Sequence, residues 1–146
     1  MDKKMFCFQC EQTVGCTGCT GNAGVCGKKA DTAKLQDELT GALIGLARTG
    51  QVIIEGLFTT VTNVSFDNAA IEKMIRKVRA EKERLVPDCG RCQSPCSKTD
   101  EYDMQQLWNA NEDIRSLKSL ILFGIRGMAA YAYHANVLNF EDAEVN

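Results

Sequence analysis

Apolar residues recur at three- and four-residue intervals through most of the chain after residue 30, the spacing of one buried helix face. Leu35, Leu39, Leu43 and Leu46 mark a first helix, with Asp31 and Thr32 placed to cap its start. Gly41 and Gly45 sit inside it at a cost of about 1 kcal/mol each against Ala, so a closely approaching neighbouring helix is expected there. After a short turn at Arg48-Thr49-Gly50, Val52, Ile53, Leu57, Phe58 and Val61 predict a second helix ending near Asn63. Ser65 or Asp67 then caps a third, striped by Ile71, Met74, Ile75 and Val78. Its outer face is charged (Glu72, Lys73, Arg76, Lys77, Arg79, Glu81, Lys82), and Pro87 stops it. A short helix is expected around Met104–Trp108. The longest follows, capped by Asn111 or Asp113, with Leu117, Leu120, Ile121, Ile125, Met128 and Leu138 as its core stripe. Phe140-Glu141-Asp142-Ala143-Glu144 reads as the first turn of a further helix, as if the chain belonged to something longer.

The first 30 residues break this pattern. No helical period runs through them, and Gly15, Gly18, Gly21, Gly24 and Gly27 recur every third residue. Cys7, Cys10, Cys16, Cys19 and Cys26 crowd the same stretch. The predicted organisation is mainly α: a Cys/Gly-rich loop over residues 1–30, then a helical bundle over 31–146. The bundle is interrupted at 87–100 by a polar loop carrying Cys89, Cys92 and Cys96.

Composition narrows the uses of that loop. With 146 residues and 45% apolar content the chain can build one domain with a real core, and two prolines in all suit helices. A net charge of −2 without a basic stripe argues against nucleic acid as a partner. The N-terminus has no apolar leader region, and no run is long enough for a membrane span, so the cytoplasm is the expected compartment. Thiols stay reduced there, which favours metal ligation over disulfides. No P-loop, dinucleotide fingerprint, HExxH or Ser-His-Asp arrangement supports hydrolysis or nucleotide binding.

Spacing carries the chemistry further. Cys7 and Cys10 form C-x2-C, a tight turn that points two thiolates at one ion or cluster corner. Cys19 follows after eight residues and Cys26 after six more, on a glycine-rich loop able to wrap back and complete four ligands. Four thiolates suit an iron–sulfur cluster and also tetrahedral zinc. A zinc ribbon wants some 15–20 residues between two knuckles. Cys7/Cys10 and Cys16/Cys19 stand five apart, and that pairing strands Cys26. The spacing therefore favours iron–sulfur and leaves zinc open.

These residues carry a resemblance. MFCFQCEQT, GCT and GVCGK, with LQDEL opening the first helix, resemble the start of the hybrid cluster proteins, also called prismane proteins or hydroxylamine reductases. EGLFTTVTNVSFD (55–67) and NEDIRSLKSLILFGIRGMAAYAYHA (111–135) resemble segments of the same family's helical N-terminal region. The resemblance implies that Cys7, Cys10, Cys19 and Cys26 bind a cluster. It further implies that the shorter eight-residue gap goes with [4Fe-4S], and that Cys16 is a bystander thiol. It also implies that the hybrid Fe-S-O cluster is bound by a His, two Glu and several Cys in later domains that this chain lacks. The implied role is electron entry into an oxidoreductase that reduces hydroxylamine or a related nitrogen oxide. Its partners would be a redox donor protein and the missing C-terminal domains, with no catalytic residue in this chain.

Other features are plainer. Cys89, Cys92 and Cys96 supply three ligands of a possible second metal site, one short of the usual four. His134, the only histidine, matches a helix position and reads as a surface or packed imidazole. Trp108, Phe58, Phe123, Tyr131 and Tyr133 read as core or interface, and Glu11 and Gln12 as residues of a solvated loop or outer hydrogen bonders of the ligands. Two alternatives stand beside the reductase reading: a stand-alone small iron–sulfur carrier or redox sensor, and a zinc-stapled helical interaction module.

Overall fold

A computed structural model describes residues 5–10, 17–46, 50–61, 66–85 and 101–144. Among them are five helices, α1 (Ala30–Leu46), α2 (Gly50–Val61), α3 (Asn68–Leu85), α4 (Met104–Trp108) and α5 (Glu112–Val137). No strand is present among the described residues beyond an isolated bridge between Cys7 and Cys19. The mainly α bundle is as expected.

α1 packs along α3 and α2 along α5, with α1 also touching α2. The main core joins Leu39, Ala42, Leu43 and Leu46 of α1 to Leu57 of α2 and to Ile71, Met74, Ile75 and Val78 of α3. The α3 stripe is buried as its period predicts, because charged residues occupy the other face and leave one way to pack. Asp67 caps α3, its carboxylate accepting from the backbone N–H groups of Ala69 (3.0 Å) and Ala70 (3.2 Å). Asn111 caps α5 by accepting from the Asp113 N–H at 3.0 Å. Asp31, expected at the α1 cap, lies within its first turn, where it accepts from Thr32 N–H and from Asn68 of α3. Pro87 and the turn residues Arg48 and Thr49 lie outside the described residues.

Three expectations are corrected. The α5 stripe does not form core: Leu117, Leu120, Ile121, Ile125, Met128 and Leu138 are all exposed, Leu120 at 68%. The face that turns inward carries Ser119, Arg126, Ala129 and Ala132. Small residues there let α2 come close, since interaxial distance follows the side chains at the contact. Gly41 does make a close approach, but to an extended segment and not to a helix. A Cβ at Gly41 would stand 2.2 Å from the Tyr102 carbonyl oxygen, and the Tyr102 N–H donates to the Gly41 carbonyl at 3.2 Å. Residues 140–144 form no helical turn; Asp142 accepts from the Glu144 N–H in a local side-chain turn.

Aromatic residues close the ends. Phe58 stacks on Tyr133 with centroids 4.2 Å apart, and exposed His134 meets Phe58 edge-on at 5.2 Å. Trp108 packs against Phe6 and Phe8, so α4 is fastened to the cysteine segment.

Candidate metal centre

The first cysteine segment is extended, and alternation decides its contacts. Met5 and Cys7 turn toward Ala33 of α1, while Phe6 and Phe8 turn toward Met104, Leu107 and Trp108 of α4. Cys7 and Cys19 then face each other across an antiparallel bridge. The Cys7 N–H donates to the Cys19 carbonyl at 3.0 Å and the Cys19 N–H to the Cys7 carbonyl at 2.8 Å. Gly18 permits this approach, since a Cβ there would lie 2.8 Å from the Cys7 oxygen. Cys26 sits on a turn that Gly24 and Lys28 close at 2.8 Å, with Gly27 in the left-handed region at φ 85°.

A buried polar network lies beneath the segment. Lys28 is 7% exposed; its ammonium donates to Gln36 Oε1 at 2.5 Å and lies 3.8 Å from Cys7 Sγ. Gln9, between Cys7 and Cys10, donates through its side-chain amide to Asp37. Arg126, 4% exposed, reaches the same residue from α5. It donates to the Gln9 carbonyl at 3.0 Å, to Gln9 Oε1, and to Thr40 Oγ1 at 3.2 Å.

Electrostatics follow from this burial. Desolvation pushes the Cys7 thiol up, against the lowering effects of the Gln9 N–H and the Lys28 charge. Desolvation likewise raises Asp37 to about 6, although Gln9, Arg126 and Lys28 oppose it. Burial lowers Arg126 to about 10, against the attraction of Asp37, Cys7 and Cys10. One reluctant carboxylate does not balance two buried cations, and Arg126 Nε is buried with no hydrogen-bond partner. The surroundings therefore fit an anionic ligand set, as thiolates on a metal cluster would be.

The sequence-predicted ligands are partly assembled. Cys7 and Cys19 are joined by backbone pairing, the Cys26 turn is linked to Cys7 through Lys28, and Cys10 acts electrostatically on Cys7. Cys7 is buried, Cys19 half-buried, Cys10 and Cys26 exposed, and all four are free thiols. Among the described residues no group of three or more His, Cys, Asp or Glu converges as on a single metal ion. Cys16, Cys89, Cys92 and Cys96 lie outside the described residues, as do Glu11 and Gln12. The sequence reading missed Lys28, Gln9, Gln36, Asp37, Thr40 and Arg126. One signal was available: Arg126 is the lone charge in the apolar stretch from Ser119 to Tyr133.

Comparison with known proteins settles the family. Residues 5–146 match the Prismane/CO dehydrogenase family. The chain belongs to that family. It is 38% identical to a hydroxylamine reductase of Methanococcus vannielii over 97% of this chain and 31% of that protein. A hydroxylamine reductase of Acetivibrio thermocellus is 38% identical over 97% of this chain and 30% of the relative. One of Porphyromonas gingivalis is 37% identical over 100% and 32%. The chain thus spans about a third of the length of the curated relatives it matches. No solved structure matches significantly. The Prismane family is one of oxidoreductases with iron–sulfur cofactors. No described helix is long and apolar enough to cross a membrane.

Proposed function

We propose that this chain is the electron-entry portion of a hydroxylamine reductase of the hybrid cluster type, acting on hydroxylamine or a related nitrogen oxide. Cys7, Cys10, Cys19 and Cys26 would hold a [4Fe-4S] cluster, which supplies one-electron transfer when bound. The observation that carries this reading is the paired Cys7–Cys19 backbone, set over two buried cations in a chain of the Prismane family.

The chain's own residues have definite parts in this reading. The Cys7–Cys19 bridge holds two ligands at a fixed spacing, and the Gly24–Lys28 turn presents a third. The Gln9 N–H bonds the Cys7 sulfur, which stabilises thiolate over thiol. Met5, Ala33 and Ala30 exclude water on the α1 side of Cys7. Hydroxylamine chemistry would belong to the hybrid Fe-S-O cluster of the full-length family. The exposed apolar face of α5 supports docking to the remaining domains, since large apolar patches on a folded surface mark interaction sites. A redox donor protein would approach the exposed Cys10–Cys26 side, in the cytoplasm.

Anaerobic reconstitution with iron and sulfide, followed by metal analysis and EPR after dithionite reduction, tests the reading. Four iron and four sulfide per chain with a one-electron EPR signal is the expected result. Two iron per chain would overturn the cubane assignment, and stoichiometric zinc without iron would overturn the redox role.

A further inference from the structure

Arg126 is out of place for a helix residue whose inward neighbours are Ser119, Ala129 and Ala132. Burying a guanidinium is costly unless charge and hydrogen bonds compensate it. Its hydrogen-bond partners are neutral: the Gln9 carbonyl, Gln9 Oε1 and Thr40 Oγ1. The negative groups that act on it are Asp37, Cys7 and Cys10. Gln9 lies between Cys7 and Cys10 and is held at more than one point. Its N–H bonds the Cys7 sulfur and its carbonyl accepts from Arg126, 117 residues along the chain. Lys28 places a second buried cation 3.8 Å from Cys7 Sγ and is fixed there by Gln36.

We infer that Arg126 and Lys28 are positioning residues that raise the reduction potential of the cluster held by Cys7, Cys10, Cys19 and Cys26. The inference rests on the [4Fe-4S] reading above. Reduction of a four-thiolate cubane adds one negative charge to an already anionic group. A buried cation attracts the reduced state more strongly than the oxidised one, and the low dielectric of the site enlarges the difference. Arg126 contributes a second effect, because its fork holds the ligand turn through two acceptors of one residue.

The test is an EPR-monitored redox titration, with dithionite as reductant, of the anaerobically reconstituted chain and of Arg126→Gln, Arg126→Lys and Lys28→Gln. Iron and sulfide are counted in each. Loss of either charge is expected to lower the reduced-to-oxidised ratio about tenfold at the wild-type midpoint, a shift of about 59 mV to more negative potential. Arg126→Lys keeps the charge and loses the fork, so its ratio stays within about threefold of wild type on the same scale. Equal midpoints in wild type, Arg126→Gln and Lys28→Gln, with full iron in all, would overturn the inference and leave the cluster reading standing. Arg126→Lys falling as far as Arg126→Gln would also overturn it, since charge would then not be the cause. If Arg126→Gln fails to hold iron, Lys28→Gln against Arg126→Lys gives the same decision. A wild-type chain that binds no iron would sink the cluster reading and this inference with it.

Discussion

Asp37 carries an unusual balance for a carboxylate. It faces Gln9, Lys28 and Arg126, all of which favour its charged form, yet desolvation outweighs them and raises it from 3.8 to about 6. The folded chain therefore holds this proton more tightly than the unfolded chain. Between about pH 4 and pH 6 the folded state binds more protons, so stability falls as pH rises through that window. The full contribution is present below the unfolded value and is worth at most about 3 kcal/mol. Urea unfolding at pH 4 and pH 7 should show this loss in the wild type and its absence in Asp37→Asn. The proposed anionic cluster, once loaded, would push Asp37 in the same direction, so the sign would not reverse. Equal pH profiles for the two proteins would show that Asp37 is not the titrating group. None of this was legible from spacing. Asp37 lies on α1, Gln9 in the loop and Arg126 on α5, and only tertiary packing brings them together.

α3 and α5 show what a helical period can and cannot tell. Both have clear apolar stripes. On α3 the opposite face is charged, so Ile71, Met74, Ile75 and Val78 could only turn inward, and the reading from sequence holds. On α5 the opposite face carries no run of charges, only Arg126 among small residues such as Ser119, Ala129 and Ala132. Periodicity groups the residues of a face correctly and leaves open which face is buried. The small face packs on α2 and the large one is exposed. The contrast is measurable. Ile71→Ala should cost about 2–5 kcal/mol in chemical denaturation, as a fully buried aliphatic truncation does. Leu120→Ala should change stability by less than about 0.5 kcal/mol in this chain. A large loss for Leu120→Ala would mean that its face is already covered. Gly41 gives a parallel lesson: the need for a close approach was readable, while its partner at Tyr102 was not.

For the whole molecule, the helical core and the cysteine segment are joined by few but specific ties. Phe6 and Phe8 pack on α4, Met5 and Cys7 on α1, and Arg126 reaches in from α5. The C-x2-C spacing and the later Cys19 and Cys26 were legible as a candidate ligand pattern, because thiols at short intervals on a turn can face one centre. The charges that complete the site were not, because Lys28 is an ordinary residue in sequence and Arg126 lies on the last helix.

The measurement that bears most directly on the central claim is iron and sulfide content across cysteine variants of the anaerobically reconstituted chain. Wild type and Cys16→Ala should each hold four iron and four sulfide. Cys7→Ala, Cys10→Ala, Cys19→Ala and Cys26→Ala should each lose the cubane. Full loading of any of these four, or loss of the cluster in Cys16→Ala, would contradict the assigned quartet.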